Sequence, residues 1–403
     1  LDGLGFEAEV PVSEPDADPV LAVLLARHRA VLTSERPALL RTDQLMAAEG
    51  DPARVPTALR RWLADPWPAR AGVHRWPLRP GTGADVTALL ADLPDREGRP
   101  VHPIHLLRAA PRWRGGPAGP PTITHAGPPP PPAPEPGARP MTVVVLDTGI
   151  TGHPWFSGRA WFGGLTSDQM EILDANHDHR LDSVAGHGTF VAGVLEQHAP
   201  SATLRIERVL GSDGVCDEVD LIETLHRLGA DPNRSVDVVN MSFGGFTHDD
   251  RASSAVAGAV AALGPRTVLV AAAGNDGVDR PFWPAALDGV IAVGALDAGG
   301  RERAAFSNHG GWVDTWAPGE DVWGAFVAPG RELPRHPSDD RTYYARWSGT
   351  SFAAPAVSGA IARRAAQLGC TAGRAAAELL GAADSGRGNF PRALPDPGST
   401  LTP

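Results

Sequence analysis

Three short peptides carry the residue types that acyl transfer by an activated hydroxyl requires: Asp147-Thr148-Gly149, His187-Gly188-Thr189 and Gly349-Thr350-Ser351. A serine hydroxyl is a weak nucleophile at neutral pH; it needs an imidazole to take its proton, and a carboxylate to orient that imidazole. Ser351 stands where a Gly-Thr turn feeds an Ala-rich helical pattern, which predicts its hydroxyl at the positive end of a helix dipole. His187 opens a second helical pattern, whose Ala192 and Gly193 permit close packing on a sheet. Asp147 closes the apolar run Val144-Val145-Leu146, a carboxylate at a strand's end with apolar neighbours behind it. Acyl transfer also needs a donor aimed at the developing oxyanion, and Asn275, after the predicted strand ending at Ala272, offers one beside the Ser351 backbone N–H. Each residue alone has a plainer reading: an N-capping serine, a structural histidine, an Asx-turn aspartate, a turn asparagine.

The elements that must bring these peptides together are legible from Met141 onward. Short β-branched runs at 142–146, 236–241, 267–272 and 290–293 suit a sheet buried on both faces. Helical patterns fall between or after them at 188–198, 219–228, 252–263 and 351–368. This alternation predicts an α/β fold, a doubly wound parallel sheet with helices on both faces, and a ligand site beyond the carboxyl ends of the strands. Upstream, residues 1–114 predict a small α+β domain: helical at 19–32, 55–63 and 85–93, extended at 72–78 and 101–107. Residues 115–140 form a Pro/Gly-rich linker whose prolines rule out a helix or a central strand. The main domain is expected at 141–385, and 386–403 is a second Pro/Gly-rich stretch, a C-terminal tail.

Composition narrows the function classes. A chain of 403 residues with 42% hydrophobic residues has material for a sizeable core, and a formal net charge of −11 argues against nucleic-acid and anionic-membrane partners. Its basic residues are all arginine. Two cysteines, Cys216 and Cys370, build no disulfide framework. The apolar stretch 20–26 is too short to span a bilayer and lacks the flanks of a secretion signal, so it predicts a helix segment.

The full strings are more specific than their parts. Gly349-Thr350-Ser351-Phe352-Ala353-Ala354-Pro355-Ala356-Val357-Ser358-Gly359 and Gly186-His187-Gly188-Thr189-Phe190-Val191-Ala192-Gly193, with Asp147 ahead of both, resemble the subtilase family over about residues 141–370. Phe190 replaces the second histidine common in that family's motif. The resemblance implies a serine endopeptidase with Asp147, His187 and Ser351 as triad, Asn275 as oxyanion donor and no required cofactor. Met241-Ser242-Phe243-Gly244-Gly245 resembles the strand lining the first specificity pocket, so Ser242, Phe243, Gly244, Gly245 and Gly274 are expected to bind an extended polypeptide substrate by strand addition. Asp276, next to Asn275, is expected to favour a basic or polar residue before the cut by charge attraction.

Structural calcium is common in the family, and Asp174-Ala175-Asn176-His177-Asp178 with Asp182 starts like an EF-hand loop. His179 at its sixth position and the missing closing Glu favour a solvated acidic loop. Segments 303–308 and 316–319 resemble scaffold. Residues 1–114 lie where subtilases carry a propeptide, which makes them either a removable intramolecular inhibitor or an accessory, partner-docking module. The family's setting is usually extracellular, with a cytoplasmic one left open. A sedolisin-type site would need Glu in place of His187, and an inert protein would lack one of the reacting groups.

Overall fold

The computed structural model of the chain describes residues 19–34, 36–48, 55, 57–80, 86, 89, 101–109, 121–124, 130–135, 137, 139–178, 181–231, 236–327 and 343–382. The tail 386–403 and most of the predicted helix at 85–93 lie outside the described residues. Along the chain run α1 (Pro19–Arg27), β1 (Ala30–Leu32), β2 (Leu39–Ala48), α2 (Thr57–Arg60), β3 (Val73–Pro77), β4 (His102–Arg108), β5 (Thr122–Thr124) and β6 (Thr142–Asp147). Then come α3 (His187–His198), β7 (Thr203–Arg208), β8 (Val215–Asp217), α4 (Glu218–Gly229), β9 (Val238–Met241), α5 (Ser254–Ala262), β10 (Val268–Ala272) and β11 (Val290–Leu296). β12 (Thr315–Pro318), β13 (Val322–Phe326), β14 (Tyr343–Trp347), α6 (Thr350–Leu368) and α7 (Ala372–Ala382) complete the order.

Six strands form one sheet in the order β12-β11-β10-β9-β6-β7, every neighbouring pair parallel. The period-two alternation of a strand divides its side chains between two apolar cores. Val143 and Val145 pack with Val191, Leu195, Val357 and Ile361 of α3 and α6, whereas Val144 and Leu146 pack with Val219, Ile222, Val256 and Val260 of α4 and α5. Burial on both faces explains why β6, β9 and β10 read as continuous apolar runs. β7 alternates polar and apolar residues at the sheet's edge, and so carries a weaker signal in the sequence.

The N-terminal region is α+β, with an antiparallel sheet in the order β1-β2-β4-β8 and β3 paired to β2. β8 reaches this sheet from beyond the main sheet's first strand, so the two units share an element. One face packs Leu45, Ala47 and Trp76 on Leu59 and Leu63. The other sends Met46, Val73 and Ile104 into the core beneath α4.

One expectation is corrected. The helix predicted over 19–32 ends at Arg27; Arg29 adopts a left-handed φ of 46°, and Ala30–Leu32 pair with β2 instead. Strand pairing there outcompetes local helix propensity. Within the linker stretch, Thr122-Ile123-Thr124 forms an edge strand on β14. Further along, the Glu135 N–H donates to Ser201 Oγ at 2.7 Å, and Arg159 donates to the Pro132 carbonyl at 3.2 Å.

Candidate active site

Asp147 ends β6 and His187 begins α3, and both are buried. Asp147 Oδ1 accepts from His187 Nδ1 and from the Thr148 N–H, each at 2.8 Å. With the carboxylate as its partner, Nδ1 is assigned the proton, which turns the lone pair of Nε2 outward as a base. Close approach of helix and turn depends on Gly188, because a Cβ there would lie 2.1 Å from the Gly149 carbonyl oxygen. The imidazole centroid sits 5.4 Å from Phe352 and 5.6 Å from Trp347, which shield it from water.

A residue that the motifs did not reveal holds this half of the site. Glu171 is buried; its Oε1 accepts from Thr148 Oγ1 at 2.5 Å and from the Gly186 N–H at 2.7 Å, and its Oε2 accepts from Thr189 Oγ1 at 3.1 Å. One carboxyl group thus ties the Asp147 turn to the first turn of α3. Burial, reinforced by the Asp147 charge and opposed by these hydrogen bonds, pushes its pKa up to about 7.

Ser351 is the second residue of α6, as expected for a nucleophile at a helix N-terminus. Pro355 lies four residues on and has no N–H for the Ser351 carbonyl; Ser242 Oγ supplies that hydrogen bond at 2.7 Å. The Ser351 hydroxyl itself lies 2.9 Å from two carbonyl oxygens, those of Ala109 and Ser242. Among the described residues His187 Nε2 has no hydrogen-bond partner. Imidazole and hydroxyl therefore share one rim of the sheet without being bonded.

Asn275 follows β10, and its Oδ1 accepts from the Thr350 N–H at 2.7 Å and Thr350 Oγ1 at 3.0 Å. This fixes the amide so that Nδ2, the donor end, stays available. Asn308 holds the turn from beneath: Oδ1 accepts the Asp276 and Val278 N–H groups at 2.9 and 3.3 Å, and Nδ2 donates to Ala273 O at 2.9 Å. The segment read as scaffold thus braces the turn that carries Asn275. Asp276 is exposed on the rim.

The five expected substrate-binding residues divide by role. Gly244 pairs its backbone with Arg108 at 2.7 and 3.0 Å, while Phe243 and Gly274 line a small cavity with Ala109, Phe282 and Ser351. Ser242 presents only its carbonyl, because its hydroxyl anchors α6. Gly245 pairs with Trp283 at 2.8 Å in both directions, so its backbone is not open to a peptide; its missing side chain instead lets the Leu106 carbonyl approach. Residues 106–109 are the strand that fills the cleft. They lie antiparallel between Gly244 on one side and β8 on the other, with the Ala109 N–H donating to Gly214 O at 2.9 Å.

In the acidic loop, Asp174, Asn176 and Asp182 turn oxygens onto the loop's own N–H groups at Ala175 and Asp178.

Comparison with known proteins agrees with this geometry. The profile described as Subtilase family matches residues 139–390. The chain is similar to Thermophilic serine proteinase of Bacillus sp. (strain AK1), 33% identical over 246 residues that cover 57% of this chain and 53% of that protein. It is 32% identical over 237 residues to Major intracellular serine protease of Bacillus subtilis (strain 168), covering 55% and 67%, and 35% identical over 235 residues to Subtilisin BL of Lederbergia lenta, covering 55% and 75%. The match thus spans about half the length of the first of these relatives. A profile match that takes in most of the chain, on a parallel sheet carrying the Asp, His and Ser peptides at one rim, makes the chain a member of the subtilase family.

Proposed function

We propose that the chain is a serine endopeptidase acting on extended polypeptides, and that its N-terminal region is the cleft's intramolecular inhibitor and first substrate. The observation that carries the reading is the position of Ser351 Oγ. It lies 2.9 Å from the carbonyl of a peptide strand, Ala109, beside a buried carboxylate–imidazole pair. In this reading Ser351 turns towards His187, Nε2 takes its proton and Oγ attacks the scissile carbonyl carbon. Asn275 Nδ2 and the Ser351 N–H receive the oxyanion, and His187 then protonates the leaving amine. Water hydrolyses the resulting ester with the same imidazole as base. No step calls for a cofactor. Backbone pairing along Gly244 and β8 supports broad acceptance of sequence, as strand addition does generally.

A second reading, a permanently plugged docking module, draws on the rotated hydroxyl and on the core contacts that seat 106–109. One experiment separates the two: the full chain and its Ser351→Ala variant are treated with a fluorophosphonate and weighed intact. The peptidase reading expects one adduct in the wild type, on Ser351 of the portion beyond residue 109, and none in the variant. A folded wild-type chain that stays whole and unlabelled would establish the docking module instead.

A further inference from the structure

Glu218 is a buried carboxylate whose partner is borrowed. It is the first residue of α4, 2% exposed, immediately after the N-cap Asp217. Among the described residues its hydrogen bonds run only to His105 of β4: Oε1 accepts the His105 backbone N–H at 2.7 Å and the ring Nδ1 in a short contact. Its other oxygen, Oε2, is buried without a partner. The nearby arginines are engaged elsewhere, since Arg75 holds Asp217 and Asp220 at 2.6 and 3.0 Å and Arg41 lies against Asp217 at 3.4 Å.

The His105 ring is also received on its far side. It stacks on His248 at 5.3 Å between centroids, with 17° between the planes, and its Nε2 lies 3.1 Å from His248 Nδ1. Phe246, Val256, Trp283 and Leu287 wall the same hollow with apolar surface. A buried carboxylate left without a donor is strongly disfavoured. A peptide that replaces β4 in the cleft therefore matches what Glu218 has here only if a side-chain nitrogen donor joins its backbone N–H at this point.

We infer that Glu218 and His248 form a specificity subsite that selects a side chain with a planar nitrogen donor, histidine first and arginine second, at the substrate position occupied here by His105, four residues before Ala109. The backbone N–H contact is open to any residue, so discrimination lies in the ring contact. The inference rests on the peptidase reading and deepens it by naming a substrate class. The wall-to-wall stack on His248 favours imidazole; the guanidinium shares its planarity and its donors but not its size.

The test uses the full chain after self-activation and internally quenched peptides of the sequence 101–116, carrying His, Arg, Gln or Leu at the place of His105. Hydrogen bonds to buried charged groups predict kcat/KM about tenfold to a hundredfold higher for His and Arg than for Leu, with Gln, whose planar amide also donates but is uncharged, between them. In Glu218→Gln the ratio should collapse to near unity. Should that variant fail to fold, His248→Leu serves: it should keep the preference for donors over Leu while losing that for His over Arg. Equal turnover of all four peptides by the wild type overturns the subsite. A chain that neither labels with fluorophosphonate nor cuts any peptide overturns the peptidase reading beneath it.

Discussion

The two sheets hold their functional residues in different ways. The six-stranded parallel sheet is apolar on both faces, and it fixes Asp147, Ser242 and Asn275 at strand ends that cannot move without opening a core. The N-terminal antiparallel sheet has its own small core on one face and meets the rest of the chain partly through charge. Arg27, Arg36, Arg41, Arg70 and Arg75 face Asp213, Asp250, Asp217 and Glu223; among the described residues every ion pair across this seam has its cation on the N-terminal side. Hydrophobic burial is hard to reverse locally, whereas partly solvated ion pairs are weak and screened by salt. The difference teaches that apolar burial places the Asp, His and Ser peptides, whereas the N-terminal sheet is held by apolar contact and charge together.

The comparison breaks first if residues of the parallel sheet prove dispensable. Ser351→Ala should lower kcat by about a millionfold and Asp147→Asn by about ten thousandfold, the scale set by subtilisin and by other serine proteases, with 101–109 still docked and short of only the Ser351 hydroxyl's bond to Ala109 in the first variant. Peptide hydrolysis and limited proteolysis of the same samples check the two halves of that statement. Asn275→Ala should cost about a hundredfold to a thousandfold in kcat with KM nearly unchanged, again the magnitude known from subtilisin.

Seam variants should do the converse. Arg75→Leu removes the main partner of Asp217, whose side chain is 3% exposed, so docking of the N-terminal sheet should weaken by about 2–4 kcal/mol. In the Ser351→Ala background this is read as faster proteolytic removal of that region, while fluorophosphonate reactivity in the parent background should not fall.

Glu171 sharpens the comparison from within the parallel-sheet half. Its folded pKa of about 7 lies above the ordinary 4.5, so its neutral form is favoured on folding. The stability it contributes is complete at low pH and is lost as pH rises through 7. Glu171→Gln should therefore gain stability relative to wild type between pH 5 and 8, by about 2 kcal/mol in denaturant titrations. Equal pH dependence of the two proteins would show that the carboxyl is not buried as described. The smallest effect expected is ionic: raising salt from about 0.05 to 0.5 M should speed release of the N-terminal region by a few fold without altering the kcat of the freed enzyme.

How much of this was legible in the sequence follows from how local each contact is. The strands β6, β9, β10 and β11 announce themselves because both faces are apolar, and the motif strings carry Asp147, His187, Asn275 and Ser351. β2, with Arg41, Asp43 and Gln44 in its middle, is extended because β3 and β4 flank it, which no local pattern reveals. Glu171 and Asn308 act through groups brought together only by folding, and neither stands in a string that marks chemistry. Ala109 meets Ser351 across 242 positions of chain. The rotation of the serine hydroxyl is set by two carbonyls, those of Ala109 and Ser242.

The central claim is that Ser351 cuts its own chain where the N-terminal strand meets it. The most direct measurement is N-terminal sequencing and intact mass of the wild type and Ser351→Ala chains through a time course at several concentrations. The account predicts a concentration-independent cut giving a new N-terminus at Ala110 in the wild type, and an uncut variant. A cut inside the proline-rich stretch 115–140, or an identical cut in the variant, would contradict it.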